Sequence, residues 1–238
     1  KGRIGQMLLS ELELKDCINI AFEWNLSENN PTSIYLPEIS SDKLLLRGWI
    51  DRIDLVPFEN GNLINEEGDN TPAPFSLDNW TPRRLIIIRD TKSVEGPSKD
   101  KLGEKHRKAI FEDFQLALYA RAWELTHPGD LVIGVGITEV GDITNNSLEI
   151  DPEFKAHLSS LNIGELTEFT HEMYRFPNEN LPASSNPFRA WIYWKLVVAL
   201  KTSNFAKNGN VHPTPGKHCE YCSVRRICGV GLEKRGDF

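Results

Sequence analysis

Two carboxylates and a lysine are the residues of this sequence with the clearest capacity for chemistry. Asp90 and Lys92 end the strongly apolar run 84–93, and Asp51 follows Gly48 by three residues in an earlier apolar segment. Positions i and i+2 of a strand share a face, so Asp90 and Lys92 point the same way. Carboxylates bind Mg²⁺ or Mn²⁺, and a lysine can orient or deprotonate an attacking water or stabilise developing charge. The trio suits metal-dependent hydrolysis of phosphodiesters.

A simpler interpretation explains each piece taken alone. An Asp-x-Lys tripeptide at a strand end is common and forms at most a weak surface ion pair. The next helix places Gln115 and Tyr119 on one face, four residues apart, as an ordinary amphipathic helix also would. The order of the three patterns along the chain, GxxD, then DxK, then QxxxY, favours a shared site.

This ordered set resembles the RecB-type nucleases of the PD-(D/E)XK superfamily, in particular the AddB-like iron–sulfur nucleases. The resemblance implies an α/β fold: a restriction-endonuclease-like core with a central mixed sheet flanked by helices, and a C-terminal cysteine cluster. It implies that Asp51 and Asp90 bind Mg²⁺ or Mn²⁺ and that Lys92 assists the attacking water. Gln115 and Tyr119 are then catalytic-site residues near the lysine and the substrate.

Two positions depart from that pattern or compete with it. The resembled nucleases carry His or Glu on a helix before the GxxD strand, and Gln6 stands in that place here. An amide oxygen can bind a metal without contributing charge, so the resemblance implies weaker metal affinity or activity, unless Glu11 or Glu13 substitutes. Asp54 is a second candidate ligand near Asp51. The spacing from the glycine favours Asp51, and we expect Asp54 to be the structural partner of an Arg or Lys.

Three of the four cysteines, Cys219, Cys222 and Cys228, fall within ten residues. Such clustering indicates a metal or cluster site in a reducing compartment, so we expect a cytoplasmic protein. By resemblance, the three bind a [4Fe–4S] cluster, with Cys17 as the fourth ligand. Cys17 follows the Gln6 motif, whereas the family's first cysteine precedes it. The fourth ligand could therefore lie upstream of Lys1.

Two other interpretations of the cysteines stay open. One is a Zn²⁺ site in which His212 or His218 helps. The other is that Cys17 is a buried apolar residue, as free cysteines often are.

The bulk composition bounds the remaining possibilities. With 238 residues and 39% apolar content, we expect a single nuclease domain over 1–238, with 210–238 as a cysteine-cluster tail packed on it. A net charge of −7 argues against coating nucleic acid by bulk electrostatics, yet allows a basic groove. No apolar run is long enough to span a membrane. The chain begins without Met, which suits a piece of a larger protein.

Basic and aromatic groups offer further DNA contacts. A basic stretch follows the DxK strand, and Arg225 and Arg226 lie between the cysteines; singly, each charge is better explained as a solvated side chain. The stretch comprises Lys99, Lys101, Lys105, His106, Arg107 and Lys108. Trp191, Tyr193 and Trp194 could stack on bases, but at helical spacing we expect them in the core.

Local patterning predicts the elements that must position these residues. Their order indicates an α/β core with a mixed sheet. We expect helices over 5–26, 109–126, 152–174 and 187–206, strands over 33–37, 43–56, 84–93 and 131–140, and a long loop over 57–83.

Three hypotheses follow. The favoured one is a Mg²⁺- or Mn²⁺-dependent DNA exonuclease or end-processing nuclease, which acts with a helicase or another subunit of a repair, recombination or defence complex. The second is a nuclease-derived DNA-binding or scaffolding domain that has lost activity, as Gln6 suggests. The third is an unrelated zinc-stabilised α/β protein.

Overall fold

The computed structural model describes residues 14–26, 32–93, 104–141, 144–170 and 186–209, and every structural statement below concerns these residues. They form eight strands, four α-helices and one 3-10 turn. The strands are β1 Ile18–Asn25, β2 Ser33–Ile34, β3 Leu44–Leu45, β4 Trp49–Val56, β5 Arg84–Ser93, β6 Asp130–Val140, β7 Thr144–Ile150 and β8 Glu165–Glu168. The helices are α1 Glu104–Glu112, α2 Gln115–Thr126, α3 Lys155–Leu158 and α4 Pro187–Lys207, and the 3-10 turn is Pro152–Phe154.

A six-stranded sheet in the order β1-β4-β5-β6-β7-β8 forms the centre of the fold. The pairs β5–β6 and β7–β8 are parallel and the other neighbours are antiparallel, so the sheet is mixed. Strands β2 and β3 form a separate two-stranded ribbon. The expected α/β architecture, a mixed central sheet with flanking helices, is confirmed.

The two faces of the sheet bury different sets of residues. Along β5, Ile86 and Ile88 pack in one cluster with apolar residues of α2 and α4. Leu85 and Ile87 point the other way, into a cluster covered by the 57–83 loop and by apolar residues between 154 and 166. By the same alternation Asp90 and Lys92 lie on the face that α2 and α4 cover, called the helix face below.

Several predicted elements are confirmed. Strand β5 spans the predicted 84–93, β6 and α4 differ from prediction by one residue at one end, and 57–83 holds no helix or strand. Strands β5 and β6 read as continuous apolar runs because both faces of the central sheet are covered. None of the described helices is long and apolar enough to cross a membrane.

The helix predicted over 5–26 is wrong for its described C-terminal half. Residues 18–25 form strand β1, which pairs with β4. Ile18, Ile20 and Phe22 alternate with less apolar residues, a period of two that indicates a strand. Together with the apolar residues before them, these residues fit a helical period as well. Residues 5–13 lie outside the described part of the chain.

Two other helix predictions need correction. The helix predicted over 109–126 is two helices, α1 and α2, interrupted between Glu112 and Gln115. Residues 152–170 form a 3-10 turn, the four-residue α3 and then strand β8. Gly164 separates them with φ of +111°, a backbone conformation that side-chain-bearing residues rarely adopt. Strand β7 was not predicted, because its Thr-Asn-Asn-Ser start is polar; its apolar residues Leu148 and Ile150 are buried in the cluster on the face opposite the helix face.

Three aromatic residues of α4, Trp191, Tyr193 and Trp194, were expected to be core. Trp191 has no exposed surface and Tyr193 is buried, so the structure confirms this for both; Trp194 is half-buried and packs against the same cluster. These rings therefore stabilise the contact between α4 and the sheet.

Candidate active site

Two strands and one helix bring five of the predicted site residues together on the helix face. Arg52 of β4 is paired with Arg89 of β5 in antiparallel register. One residue further along each strand, Asp51 and Asp90 therefore stand opposite each other. Helix α2 begins at Gln115 and lies over β5 and β6.

Hydrogen bonds and an ion pair connect these side chains. The Gln115 Nε2 donates to Asp90 Oδ1 over 2.9 Å and to the Tyr119 hydroxyl over 3.3 Å. The Lys92 Nζ lies 2.5 Å from Asp90 Oδ2. Each oxygen of Asp90 therefore has one partner, which fixes the orientation of its carboxylate.

Asp51 joins the group through the backbone of β5. Its Oδ2 accepts a hydrogen bond of 2.7 Å from the N–H of Thr91, the residue between Asp90 and Lys92. This bond continues the contact between β4 and β5 beyond their last backbone pair, Arg52 and Arg89. Asp51 is half-buried, so its carboxylate borders on solvent.

Gly48 allows the start of β4 to pass close to α2. Its φ is +146°, and a Cβ at this position would lie 3.3 Å from the Tyr119 hydroxyl oxygen. A larger residue would be strained by the backbone angle and crowded by the tyrosine. The glycine of the GxxD pattern therefore has a structural role beside the site.

Burial raises the pKa of the Asp90 carboxyl group, and the nearby Asp51 charge acts in the same direction. The Lys92 ammonium and the hydrogen bond from Gln115 lower the Asp90 pKa and partly offset the burial. The pKa of Tyr119 is raised by burial and by the charges of Asp90 and Asp51. Since the two carboxylates repel each other, a positive charge bound between them would stabilise their ionised forms.

The donor set fits a hard divalent cation. Asp51 and Asp90 offer oxygen ligands only, which Mg²⁺ and Mn²⁺ prefer. Within the described ranges no group of three or more His, Cys, Asp or Glu residues could hold a metal. Mg²⁺ is commonly bound through one or two carboxylates together with waters and phosphate oxygens, so the pair meets that smaller requirement.

Asp54 follows Asp51 by three residues and lies on the opposite face of the sheet. It has no exposed surface and accepts hydrogen bonds from Arg52 Nε at 2.7 Å and Arg89 Nε at 2.8 Å. Three residues along a strand reverse the direction of the side chain, which places Asp54 away from Asp90. Asp54 is thus the structural partner of arginines that its sequence context led us to expect.

Cys17 is a buried thiol whose Sγ donates to the Leu14 carbonyl over 3.2 Å. Burial raises its pKa to about 11, with the Asp54 charge acting in the same direction. Cys219, Cys222 and Cys228, with the whole 210–238 tail, lie outside the described residues. The cluster ligand set therefore stays a prediction.

Other predicted residues also lie outside the description. They are Gln6, Glu11, Glu13, Lys99, Lys101, His212, His218, Arg225 and Arg226, and the side chains of Lys105 and Arg107. Of the basic stretch, the structure describes the side chains of His106 and Lys108 only.

Glu139 is a nearly buried carboxylate that the sequence analysis did not select. It stands opposite Lys92 in the parallel β5–β6 pair, so it lies on the helix face too. Its Oε1 contacts His106 Nδ1 of α1. The available signal was an acidic residue near the end of an apolar strand, the same signal that selected Asp90.

Comparison with known proteins agrees with this geometry. The family model described as the PD-(D/E)XK nuclease superfamily matches residues 77–229, which is more than half of the chain. The matched range includes Asp90, Lys92, Gln115 and Tyr119, and β4 with Asp51 precedes it. No curated protein matches the chain. From the family match, and in agreement with the mixed sheet, this chain belongs to the PD-(D/E)XK nuclease superfamily.

Proposed function

We propose that this nuclease domain is a Mg²⁺- or Mn²⁺-dependent deoxyribonuclease, an exonuclease or end-processing enzyme. We further propose that it works with a helicase or with other subunits of a DNA repair, recombination or defence complex. The observation that carries the first proposal is the pairing of Asp51 with Asp90 beside Lys92 on one sheet face. The second rests on the resemblance to AddB-like nucleases.

Each side chain has a role that follows from its contacts. Asp51 and Asp90 would hold the metal, which supplies a bound water of lowered pKa and polarises the phosphate. Lys92, anchored 2.5 Å from Asp90, presents its ammonium to the attacking water and to the charge that develops on the phosphate. Gln115 orients the Asp90 carboxylate, and Tyr119 supports Gln115.

The start of α2 favours an anionic substrate at this place. The residue that precedes the helix, Phe114, provides no side-chain cap, and the first turn carries no acidic residue. The first backbone N–H groups of a helix have no partners within it and carry partial positive charge. Since Gln115 of this first turn touches Asp90, that charge lies beside the two carboxylates and favours the approach of a phosphate.

The C-terminal cysteines support a separate proposal, a [4Fe–4S] cluster held by Cys219, Cys222 and Cys228. The fourth ligand would be Cys17 or a cysteine upstream of Lys1. To act as a ligand, Cys17 must lose its proton and its hydrogen bond to Leu14. Iron with acid-labile sulfide in anaerobically purified protein would support the cluster. Zinc without iron would support the Zn²⁺ alternative.

The nuclease proposal is tested on end-labelled linear DNA, single- and double-stranded, and on RNA of the same sequence. We expect cleavage of DNA with Mg²⁺ or Mn²⁺ and none with chelator. We expect Asp90→Asn to lower the cleavage rate at least a hundredfold, about the scale of removing a main electrostatic contributor. Asp78→Asn, an exposed residue of the 57–83 loop, is the matched control and should keep wild-type activity.

A catalytically impaired DNA-binding or scaffolding domain is the alternative, and the uncharged Gln6 favours it. The assembled Asp51, Asp90 and Lys92 argue against it. DNA binding without metal-dependent cleavage, in a folded protein, would establish this alternative. Cleavage of RNA alone would refute the deoxyribonuclease assignment.

A further inference from the structure

We propose that Glu139 is a positioning residue of the active site, which receives the Lys92 ammonium when Asp90 binds a divalent cation. The lysine then exchanges a partner on its own strand for a partner on the neighbouring strand and stays beside the site. The inference rests on the proposed function and adds to it a residue that lies outside the sequence motifs.

Both oxygens of the Asp90 carboxylate have partners in the structure. Gln115 Nε2 donates to Oδ1 over 2.9 Å, and the Lys92 Nζ lies 2.5 Å from Oδ2. Mg²⁺ binds its oxygen ligands at about 2.0 to 2.1 Å. A cation on Oδ2 would therefore lie within about 5 Å of the ammonium in its present position, where the two positive charges repel each other.

Of the two partners of Asp90, Lys92 is the one that can move aside. Gln115 begins α2, whose buried residues pack in the cluster on the helix face, so its amide is fixed with the helix. The Lys92 side chain is 36% exposed and carries its ammonium on a flexible aliphatic stem. Because the amide is neutral and the ammonium is charged, a bound cation repels Lys92 and not Gln115.

Glu139 is placed to receive the ammonium. It pairs with Lys92 across the parallel strands β5 and β6, whose backbones lie about 4.8 Å apart. Val135 and Ile137, four and two residues before it, are buried in the cluster that contains α2 and α4. By the alternation of a strand, Glu139 therefore projects from the helix face, as Lys92 does.

The residues between these positions agree with this placement, because they point to the opposite face. A Cβ at Gly136 would lie 2.6 Å from Leu148, which belongs to the cluster on that face. The Thr138 hydroxyl donates to Asn146 Oδ1 over 2.9 Å, and Asn146 alternates with Leu148 along β7 so that both share a face.

Contacts with α1 hold Glu139 in position. Its Oε1 contacts Nδ1 of His106, and Ile110, four residues further along α1, is fully buried in the cluster on the helix face. The side of α1 that carries both residues therefore lies against the sheet. Glu139 is only 6% exposed, so its charge is screened little by water. A carboxylate has about four acceptor positions, so Glu139 can bind an ammonium and keep the His106 contact.

This arrangement has a consequence for cation affinity. Without a second acceptor, Lys92 would either continue to compete for Asp90, which weakens cation binding, or turn to solvent, which removes the ammonium from the attacking water and the phosphate. Glu139 prevents both outcomes. Its effect on cation affinity therefore depends on Lys92, whereas a direct ligand would act without the lysine.

The test is a double-mutant cycle read by equilibrium Mn²⁺ binding, measured by calorimetry. Glu139→Gln keeps the shape of the side chain and removes its charge, and Lys92→Met removes the ammonium. We expect Glu139→Gln to weaken Mn²⁺ binding at least about fivefold in the wild-type background and less than about twofold in the Lys92→Met background. Glu67→Gln, at an exposed position of the 57–83 loop, is the matched control and should leave the affinity unchanged in both.

Equal losses in the two backgrounds would show that Glu139 acts on the cation directly and would overturn the proposal. An unchanged affinity in Glu139→Gln would leave the carboxylate a partner of His106 alone and would overturn it as well. A crystal structure of the wild type with Mn²⁺ observes the exchange itself and decides the question if Glu139→Gln does not fold. We expect the Lys92 Nζ within hydrogen-bond distance of Glu139; an Nζ still paired with Asp90 beside the bound ion would contradict the exchange.

DNA cleavage by the same proteins separates this inference from the proposed function. If the wild type cleaves DNA with Mn²⁺ but the cycle shows no coupling, the role of Glu139 fails and the nuclease proposal stands. If Mn²⁺ binds with the expected coupling but no DNA is cleaved, the deoxyribonuclease proposal fails and Glu139 keeps its role at a cation site. If the wild type binds no Mn²⁺, both proposals fail.

Discussion

At the scale of single residues, the orientation of the Asp90 carboxylate is the feature on which the site depends. One Asp90 oxygen accepts a hydrogen bond from Gln115 and the other is paired with Lys92, so rotation of the carboxylate would break both contacts. In metal sites, replacing a residue that orients a metal-binding side chain without binding the metal itself commonly lowers metal affinity or activity about tenfold to a hundredfold.

Gln115→Ala should therefore lower kcat about ten- to a hundredfold with a smaller effect on KM. Tyr119→Phe keeps the bond between Gln115 and Asp90 and should have a smaller effect than Gln115→Ala. Steady-state kinetics on labelled DNA measures both variants. An unchanged kcat in Gln115→Ala, in a folded protein, would contradict the role given to the glutamine.

The residue scale also shows the limit of local sequence patterns. Alternation along β5 was sufficient to place Asp90 and Lys92 on one face. The opposite directions of Asp51 and Asp54 follow from the same rule, because three residues separate them. Glu139 carries the same local signal as Asp90, an acidic residue near the end of an apolar strand, but its position beside Lys92 depends on the pairing of β5 with β6, which no local pattern contains.

At the scale of elements, a buried ionic group joins α2, α4 and β6. Glu124 of α2 accepts hydrogen bonds from Arg189 Nη1 of α4 at 2.6 Å and from the Val132 N–H of β6 at 3.2 Å. Both charged side chains are fully buried. Since breaking a buried pair leaves an uncompensated charge, this contact specifies where α2, and with it Gln115, lies on the sheet.

The end of β7 is joined to the start of α4 by Asp151, a buried carboxyl group whose pKa is raised. The Asn186 Nδ2, at the N-cap of α4, donates to both Asp151 oxygens. Burial raises the pKa of Asp151 from 3.8 to about 6, although bonds from Glu153 and Asn186 oppose the rise. In the unfolded chain this pKa returns to its ordinary value, so the folded protein binds more protons between about pH 4 and 6.

The stabilising contribution of Asp151 is therefore complete below about pH 4 and is lost as the pH rises through 6. Asp151→Asn, whose oxygen can still accept from Asn186, should gain about 2 to 3 kcal/mol of unfolding free energy relative to wild type between pH 4 and 7. Urea unfolding of both proteins at several pH values measures the difference. A difference that does not change with pH would contradict the raised pKa.

Element prediction from sequence succeeded where burial on both faces made the pattern unambiguous, as in β5 and β6. It was wrong for β1, whose alternation of Ile18, Ile20 and Phe22 was outweighed by apolar residues that precede it. It also missed β7, whose Thr-Asn-Asn-Ser start resembles a loop. Strand β1 is stabilised by β4, which is distant in sequence, and β7 pairs with the preceding β6 although its polar start has low strand propensity.

At the scale of the whole molecule, the candidate active site and a buried structural group of charges lie on opposite faces of the sheet. The helix face carries Asp51, Asp90 and Lys92, and the opposite face carries Asp54 with its two arginines. The family match starts at residue 77, after β4, and the fold brings Asp51 of β4 back to Asp90. Under the proposed function, a bound divalent cation would offset the negative charge of Asp51 and Asp90.

The most direct test of the central claim is equilibrium binding of Mn²⁺ by the wild type, Asp51→Asn and Asp90→Asn, measured by calorimetry with Asp78→Asn as the control. Each Asn variant at the paired positions would remove one of the two proposed charged ligands. We predict at least tenfold weaker binding for Asp51→Asn and for Asp90→Asn, and wild-type affinity for Asp78→Asn. Wild-type affinity in either paired-position variant, with the fold retained, would contradict a metal site built from Asp51 and Asp90.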